Sequence, residues 1–302
     1  MTLPDHPLRW GAEALWEQLH PLLPGLSVEV VARIGSTNSA LLERARVVTP
    51  AAEEGDLGAQ VRRSTESTAF GRRAADLQPC LLVAEHQTHG RGRQGRLWQA
   101  APGASLTFSL ALPLAPRDWS GLSLAIGVAL ADALDPPGDG TVPRLGVKWP
   151  NDLLLLDAGG AARKLGGILI ETVAAGARRL AVIGVGLNVL PLPGSDSGGF
   201  AWLQEIDPEA TAPRVLAQVA RPLVEAVRRF EVEGFAGVLD AFARRDVLRG
   251  RAVTTSHPDV REGVAVGVTA HGALRVQTPD GTLRDVDSGE VSVRLRPDGA
   301  TC

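Results

Sequence analysis

The sequence predicts an α/β fold with a central mixed sheet and a small C-terminal β domain, on three observations. Apolar strand-like runs are interleaved with helix-period segments from residue 8 to about residue 245. Four strand-like runs then crowd together, "RLGVKWP", "DLLLL", "KLGGILIETV" and "RRLAVIGVGLNVL", which gives a mixed sheet. After Val247 five short strands follow at close spacing, "RAVTTS", "EGVAVGVTA", "GALRVQT", "GTLRDVD" and "EVSVRL", as in a small barrel.

Each element has its own warrant. Residues 1–27 form an N-terminal helical extension, in which Leu8, Ala12, Leu15, Trp16 and Leu19 lie near helical spacing and Pro21 stops the helix. "LSVEVVARIG" reads as a strand, and Ser36 then caps a helix through "TNSALLERAR". Residues 47–79 are polar with no steady period, the mark of a long loop. "CLLVAEHQT" is a buried-type strand, "SLTFSLAL" alternates as a half-buried one, and "WSGLSLAIGVALADAL" is a mostly buried helix. "DAGGAA" is a turn between strands. From Thr211 a helical region extends to about Arg245, with Pro222 expected to kink or restart it. The domains are therefore 1–245 and 246–302, with the boundary where short strands replace helix.

Composition narrows the function. A chain that is 44% hydrophobic and 22% charged is ordinary globular material, and a net charge of −3 offers no bulk attraction to polyanions. No apolar run approaches the roughly 20 residues needed to span a bilayer, and the N-terminus lacks the order of an export signal, so a cytoplasmic location without membrane contact is expected. Cys80 opens an apolar strand and Cys302 is the last residue, which gives neither a disulfide framework nor a metal-ligand spacing.

The scarce residues are more informative. Of 31 basic residues only Lys148 and Lys164 are lysines, and asparagine occurs only at 38, 151 and 188. An ammonium and a flat neutral amide have donor geometries that arginine and other polar residues do not reproduce, so these five are candidate site residues.

"HGRGRQGRLW", residues 89–98, follows a predicted strand directly. There backbone amides can turn outward around an anion, glycines allow close approach, and Arg91, Arg93 and Arg96 add charge-assisted hydrogen bonds of about 1.5–3 kcal/mol each where partly desolvated. Phosphate or carboxylate is the natural guest. The spacing matches neither the G-x-x-x-x-G-K-[ST] phosphate loop nor the dinucleotide fingerprint.

In order along the chain, "STN" at 36–38, "EHQTHGRGRQGRLW" at 85–98, "KWPNDLLL" at 148–155, "RKLGGILIE" at 163–171 and "GVGLNV" at 184–189 closely resemble the motifs of the biotin protein ligases. All five scarce residues fall within them. The resemblance implies an α/β catalytic domain related to the class II aminoacyl-tRNA synthetases, followed by an SH3-like barrel. It implies an enzyme that joins biotin and ATP into biotinyl-5′-adenylate with magnesium, then transfers biotin to a lysine of a biotin carboxyl carrier protein. A lipoate ligase or octanoyltransferase of the same architecture is the alternative, and a nucleic-acid-binding module using the arginine-rich loops is a rival of another class.

The same resemblance assigns residues. Ser36, Thr37 and Asn38 contact the ureido ring of biotin, Ser36 having helix capping as a second role, and Gln87 points into the same pocket. Arg91, Gly92 and Arg93 close over the adenylate, with Arg96 on the phosphates and Arg93 counted with Lys164 as catalytic. Trp98 packs against adenine or anchors the core. Lys164 meets the biotin carboxylate and then the anhydride oxygens. Lys148 and Asn151 meet the phosphates, Asp152 is the metal contact or a turn residue after Pro150, and Asn188 faces the nucleotide. Only 35 residues precede "STN", too few for a winged helix-turn-helix plus the first strand, so no operator binding is expected. The N-terminal helix is expected to pack on the core or to form a homodimer contact.

Overall fold

The computed structural model describes residues 8–47, 67–70, 77–138, 142–175, 178–191, 199–289 and 291–295. The predicted 47–79 loop lies largely outside the described residues. In chain order the elements are α1 (Ala12–Leu19), β1 (Ser27–Ile34), α2 (Thr37–Val47), β2 (Ser67–Phe70), β3 (Cys80–Gln87), β4 (Gly90–Arg91), β5 (Leu97–Trp98), β6 (Ser105–Leu114) and α3 (Leu122–Leu134). They continue with β7 (Leu145–Lys148), β8 (Asp152–Leu156), β9 (Ala162–Ala175), β10 (Arg178–Asn188), α4 (Ala212–Glu233) and α5 (Leu239–Arg245). The last five strands are β11 (Ala252–His257), β12 (Val260–Val268), β13 (Leu274–Gln277), β14 (Leu283–Val286) and β15 (Val293–Leu295). Two compact units result, one of residues 1–115, 169–195 and 203–221, the other of 116–168, 196–202 and 222–302.

In the first unit the strand order is β2-β1-β3-β6-β10, with the end of β9 beyond β10. β1 and β3 run parallel and the other registered pairs are antiparallel, so the sheet is mixed as predicted. The helix α2 covers one face, where Leu41, Leu42 and Ala45 pack on Cys80, Leu82, Ala111 and Val182. Cys80 is a core residue. The helix α1 packs on β1 and β2 and buries Leu15 and Leu19, and the Trp10 indole donates to Glu85 Oε1 at 3.0 Å. This answers the N-terminal helix as packing against its own unit.

Three expectations need correction. Ser67–Phe70, inside the predicted loop, is a strand: it pairs antiparallel with the free edge of β1, a long-range backbone partnership that leaves no period in "STAF". "SLTFSLAL" is not half-buried. As β6 it lies between β3 and β10 and is buried on both faces, the alternate face carrying Ser105, Thr107 and Ser109. Its alternation of hydroxyl and apolar residues separates a polar interior from an apolar one, not water from core. Third, α4 runs through Pro222 without restarting, and the break falls at Gly234, whose φ of 66° is left-handed.

In the second unit β7, β8 and the start of β9 form consecutive antiparallel pairs, with α3 against β7 and β8. β14-β13-β12-β11-β15 form a five-stranded antiparallel sheet. The join to that sheet is stapled to β7. The buried Arg245 guanidinium donates to Asp132 Oδ1 at 2.6 Å and to the Leu145 carbonyl at 2.7 Å, and the Val247 amide donates to the Val147 carbonyl at 3.2 Å. Between them, burial pushes the Asp246 carboxyl above the usual carboxylate range, against the lowering effect of the Leu248 amide. The Trp149 indole donates to the Gly272 carbonyl at 3.0 Å, which fixes a loop of the sheet to the residue after β7.

Candidate active site

The "STN" segment lies where β1 gives way to α2. Ser36 Oγ accepts from the Ser39 amide at 3.4 Å, so it is the helix cap the sequence predicted. Capping leaves its own O–H without an acceptor among the described residues. Thr37 and Asn38 occupy the first turn and are buried, as is Gln87 at the end of β3. The Thr37 amide donates to Gln87 Oε1 at 2.7 Å, which fixes the Gln87 amide and turns its nitrogen away. Among the described residues that nitrogen has no hydrogen-bond partner.

Asn38 is held on both sides. Its Nδ2 donates to the Leu169 carbonyl at 3.3 Å and to Glu171 Oε2 at 3.0 Å, and its Oδ1 lies 2.6 Å from Ser109 Oγ. Ser109 Oγ is also 2.6 Å from Thr37 Oγ1. Neither Ser109 nor Glu171 was assigned from the sequence. Glu171 closes "RKLGGILIE", and Ser109 belongs to the Ser105, Thr107, Ser109 alternation, the one signal that could have found it.

The glycines of "GVGLNV" belong to the same face. Gly184, Gly186 and Asn188 oppose Ser109, Thr107 and Ser105 across β10 and β6. A Cβ on Gly184 would overlap Asn38 Oδ1, and one on Gly186 would overlap the Trp98 indole. Asn188 is buried at the end of this row.

The arginine-glycine segment is a tight hairpin in which β4 pairs with β5 and the Gly92 amide donates to the Arg96 carbonyl at 2.7 Å. Gln94, with φ 56°, and Gly95, with φ 70°, turn it, while Gly92 is extended. Arg91 and Arg96 are exposed and Arg93 is half-buried. Arg91 donates to Ser39 Oγ and Glu171 Oε1, each at 3.3 Å, and Arg96 to Gln94 Oε1 at 3.3 Å. The first unit thus brings together Ser36, Thr37, Asn38, Gln87 and Arg91 around Ser109 and Glu171, with Trp98 and Asn188 on the same sheet face.

The second unit holds the lysines. Lys164 Nζ is 2.7 Å from Asp152 Oδ1, and both side chains are partly exposed. A bulge between Leu153 and Leu154 sets Lys164 in register with Leu154, while Asp152 pairs with Gly167, whose missing side chain leaves room beside both charges. Lys148 ends β7 opposite Asp152. Asn151 Nδ2 donates to the Ile168 carbonyl at 2.7 Å, and the Ile168 amide returns a bond to the Asn151 carbonyl. That amide braces β9.

Fold and site together describe an α/β ligase scaffold with an appended antiparallel domain. Residues 58–188 match the Biotin/lipoate A/B protein ligase family, and residues 250–294 match the biotin protein ligase C terminal domain. The chain is 33% identical over 285 residues to the bifunctional ligase/repressor BirA of Escherichia coli, covering 92% of this chain and 77% of that one. It is 36% identical over 205 residues to the biotin–[acetyl-CoA-carboxylase] ligase of Mycobacterium tuberculosis, covering 67% of this chain and 57% of that one. Its fold matches that of the Aquifex aeolicus biotin protein ligase in complex with biotin and ATP, with a TM-score of 0.64 and 23% identity over 89% of this chain and 99% of that one. The chain belongs to the biotin protein ligase family.

Proposed function

We propose that the protein activates biotin with ATP and transfers it to a lysine of a biotin carboxyl carrier protein. The observation that carries this reading is the buried, mostly neutral cluster at the start of α2. Two donors are unspent, the Ser36 hydroxyl and the Gln87 amide nitrogen, and the Thr37 and Asn38 oxygens stand beside them as acceptors. A ureido ring needs that set: donors for its carbonyl and acceptors for its two N–H groups. A lipoyl or octanoyl chain offers nothing to satisfy it, and buried donors left without partners cost about 1–3 kcal/mol each.

In the first half-reaction an oxygen of the biotin carboxylate attacks the α-phosphorus of ATP. Pyrophosphate leaves and an acyl phosphate anhydride forms. No protein nucleophile is needed, so the chain contributes position and charge. Arg91, Gly92, Arg93 and Arg96 close on the carboxylate and phosphates, Trp98 faces adenine, and Asn188 faces the nucleotide. Lys164 turns from Asp152 to the developing negative charge. That exchange replaces one anionic partner by another. In the second half-reaction the deprotonated acceptor amine attacks the acyl carbon, and AMP leaves with the anhydride oxygen.

Among the described residues no three His, Cys, Asp or Glu side chains converge on a metal position. A magnesium ion carried mainly by the ATP phosphates would need a single protein carboxylate, for which Asp152 is the candidate, with Lys148 and Asn151 near the phosphates. When bound, that ion neutralises phosphate charge. We propose a domain boundary near residue 246, supported by a separate C-terminal match at 250–294, and an SH3-like closure of the last five strands. We also propose, from the motif resemblance alone, that the catalytic domain is related to the class II synthetases.

The test is pyrophosphate release by purified protein with ATP and either biotin or lipoate. Release with biotin and none with lipoate is expected. Release with lipoate alone would overturn the reading.

A further inference from the structure

Glu171 and Ser109 have no part in the scheme above, yet both touch the cluster on which it rests. Asn38 sits over Gly184 with its amide plane fixed. Its Nδ2 faces two pure acceptors, Glu171 Oε2 at 3.0 Å and the Leu169 carbonyl at 3.3 Å. Rotating the amide by half a turn would set Oδ1 against a carboxylate and a carbonyl, which is repulsive on both counts. Oδ1 therefore faces Ser109.

The consequence passes along the hydroxyls. Oδ1 cannot donate, so the bond of 2.6 Å between Asn38 and Ser109 requires the Ser109 proton. Ser109 has only one, so its equally short contact of 2.6 Å with Thr37 requires the proton of Thr37. The polarity runs in one direction, from Thr37 O–H to Ser109 Oγ and from Ser109 O–H to Asn38 Oδ1. With its proton spent on Ser109, Thr37 Oγ1 presents only lone pairs to a ligand, and Asn38 Oδ1 presents its second lone pair. Thr37 Oγ1 also lies 3.0 Å from Gln87 Oε1; its single proton goes to the shorter Ser109 contact, and Gln87 Oε1 keeps the Thr37 amide as its donor at 2.7 Å.

We propose that Glu171 is a positioning residue that orients the Asn38 amide and, through Ser109, the Thr37 hydroxyl, so that the site offers two acceptors to the paired N–H groups of a cyclic urea. This rests on the biotin reading above and deepens it by naming what sets selectivity for N–H donors. The second oxygen of Glu171 accepts from Arg91 at 3.3 Å, so the same carboxylate ties the arginine-glycine hairpin to the cluster.

The experiment measures dissociation constants by calorimetry for biotin and for biotin methylated on one ureido nitrogen, in the parent and in the Glu171→Gln, Glu171→Leu and Ser109→Ala variants. Glutamine keeps an oxygen for Asn38, so Glu171→Gln is expected within about threefold of the parent for both ligands. Glu171→Leu is expected to weaken biotin about 10- to 100-fold, the range of one lost buried hydrogen bond, and to narrow the preference over the methylated analogue by a similar factor. Ser109→Ala, a minimal truncation at a buried site, is expected to narrow the preference too, and it decides the matter if the leucine variant does not fold. Parent-like preference in Ser109→Ala, or in a folded Glu171→Leu, would overturn the proposal alone. A parent protein that binds no biotin would overturn the ligand reading and the proposal with it.

Discussion

At the residue scale the proposed chemistry rests on Lys164. Its ammonium lies 2.7 Å from Asp152, on a strand whose bulge sets its register. A compact charge on a flexible stem can leave one oxygen for another, whereas a guanidinium held by a carboxylate favours a fixed planar fork. Lys164→Arg is therefore expected to slow adenylate formation on the order of 100-fold, the scale of losing one transition-state donor. Biotin affinity should change by less than about threefold. Single-turnover kinetics with a parallel binding titration check this, and equal adenylation rates for variant and parent would contradict it. The sequence singles out Lys164 because lysine is so rare here. It does not single out Glu171: one of 34 acidic residues, it carries no compositional mark, and its value comes from partners 80 and 133 positions away.

At the scale of elements, β10 explains a motif that the sequence shows only as a string. Period two puts Gly184, Gly186 and Asn188 on one face, where the absent side chains admit Asn38 and the Trp98 indole. Gly186→Ala is expected to destabilise the protein by about 1–3 kcal/mol, as overpacking does. In a Trp98→Ala background the same change should cost much less, because the colliding ring is gone. Denaturant unfolding of the four proteins in that cycle measures it, and an equal cost in both backgrounds would show that the indole is not what Gly186 accommodates. Strand positions were legible from apolar runs, whereas the folding of the arginine-glycine segment into a hairpin was not. That neither face of β6 meets water was not legible either, since alternation looks the same whether the polar face meets solvent or a buried polar site. A restart of the helix after Pro222 was overread for a related reason: the helix α4 accommodates one missing amide where packing holds the rest.

At the scale of the molecule, the mixed sheet and the late antiparallel domain were both legible, because periodicity reports layers. What no local pattern announced was the division of the chain into two compact units that each draw on separated segments. Contacts such as Arg245 with Asp132, and Trp149 with Gly272, join residues more than 100 positions apart and set those units. No helix among the described residues is long and apolar enough to cross a membrane. The function claimed for the whole chain is transfer of biotin to a carrier lysine, and one assay tests it directly: purified protein is incubated with biotin, ATP, magnesium and a biotin carboxyl carrier domain, and the carrier is weighed by mass spectrometry. The account predicts one biotin added to one lysine, with AMP formed in equal amount and no addition when lipoate replaces biotin. An unmodified carrier, or one that gains lipoate instead, would contradict it.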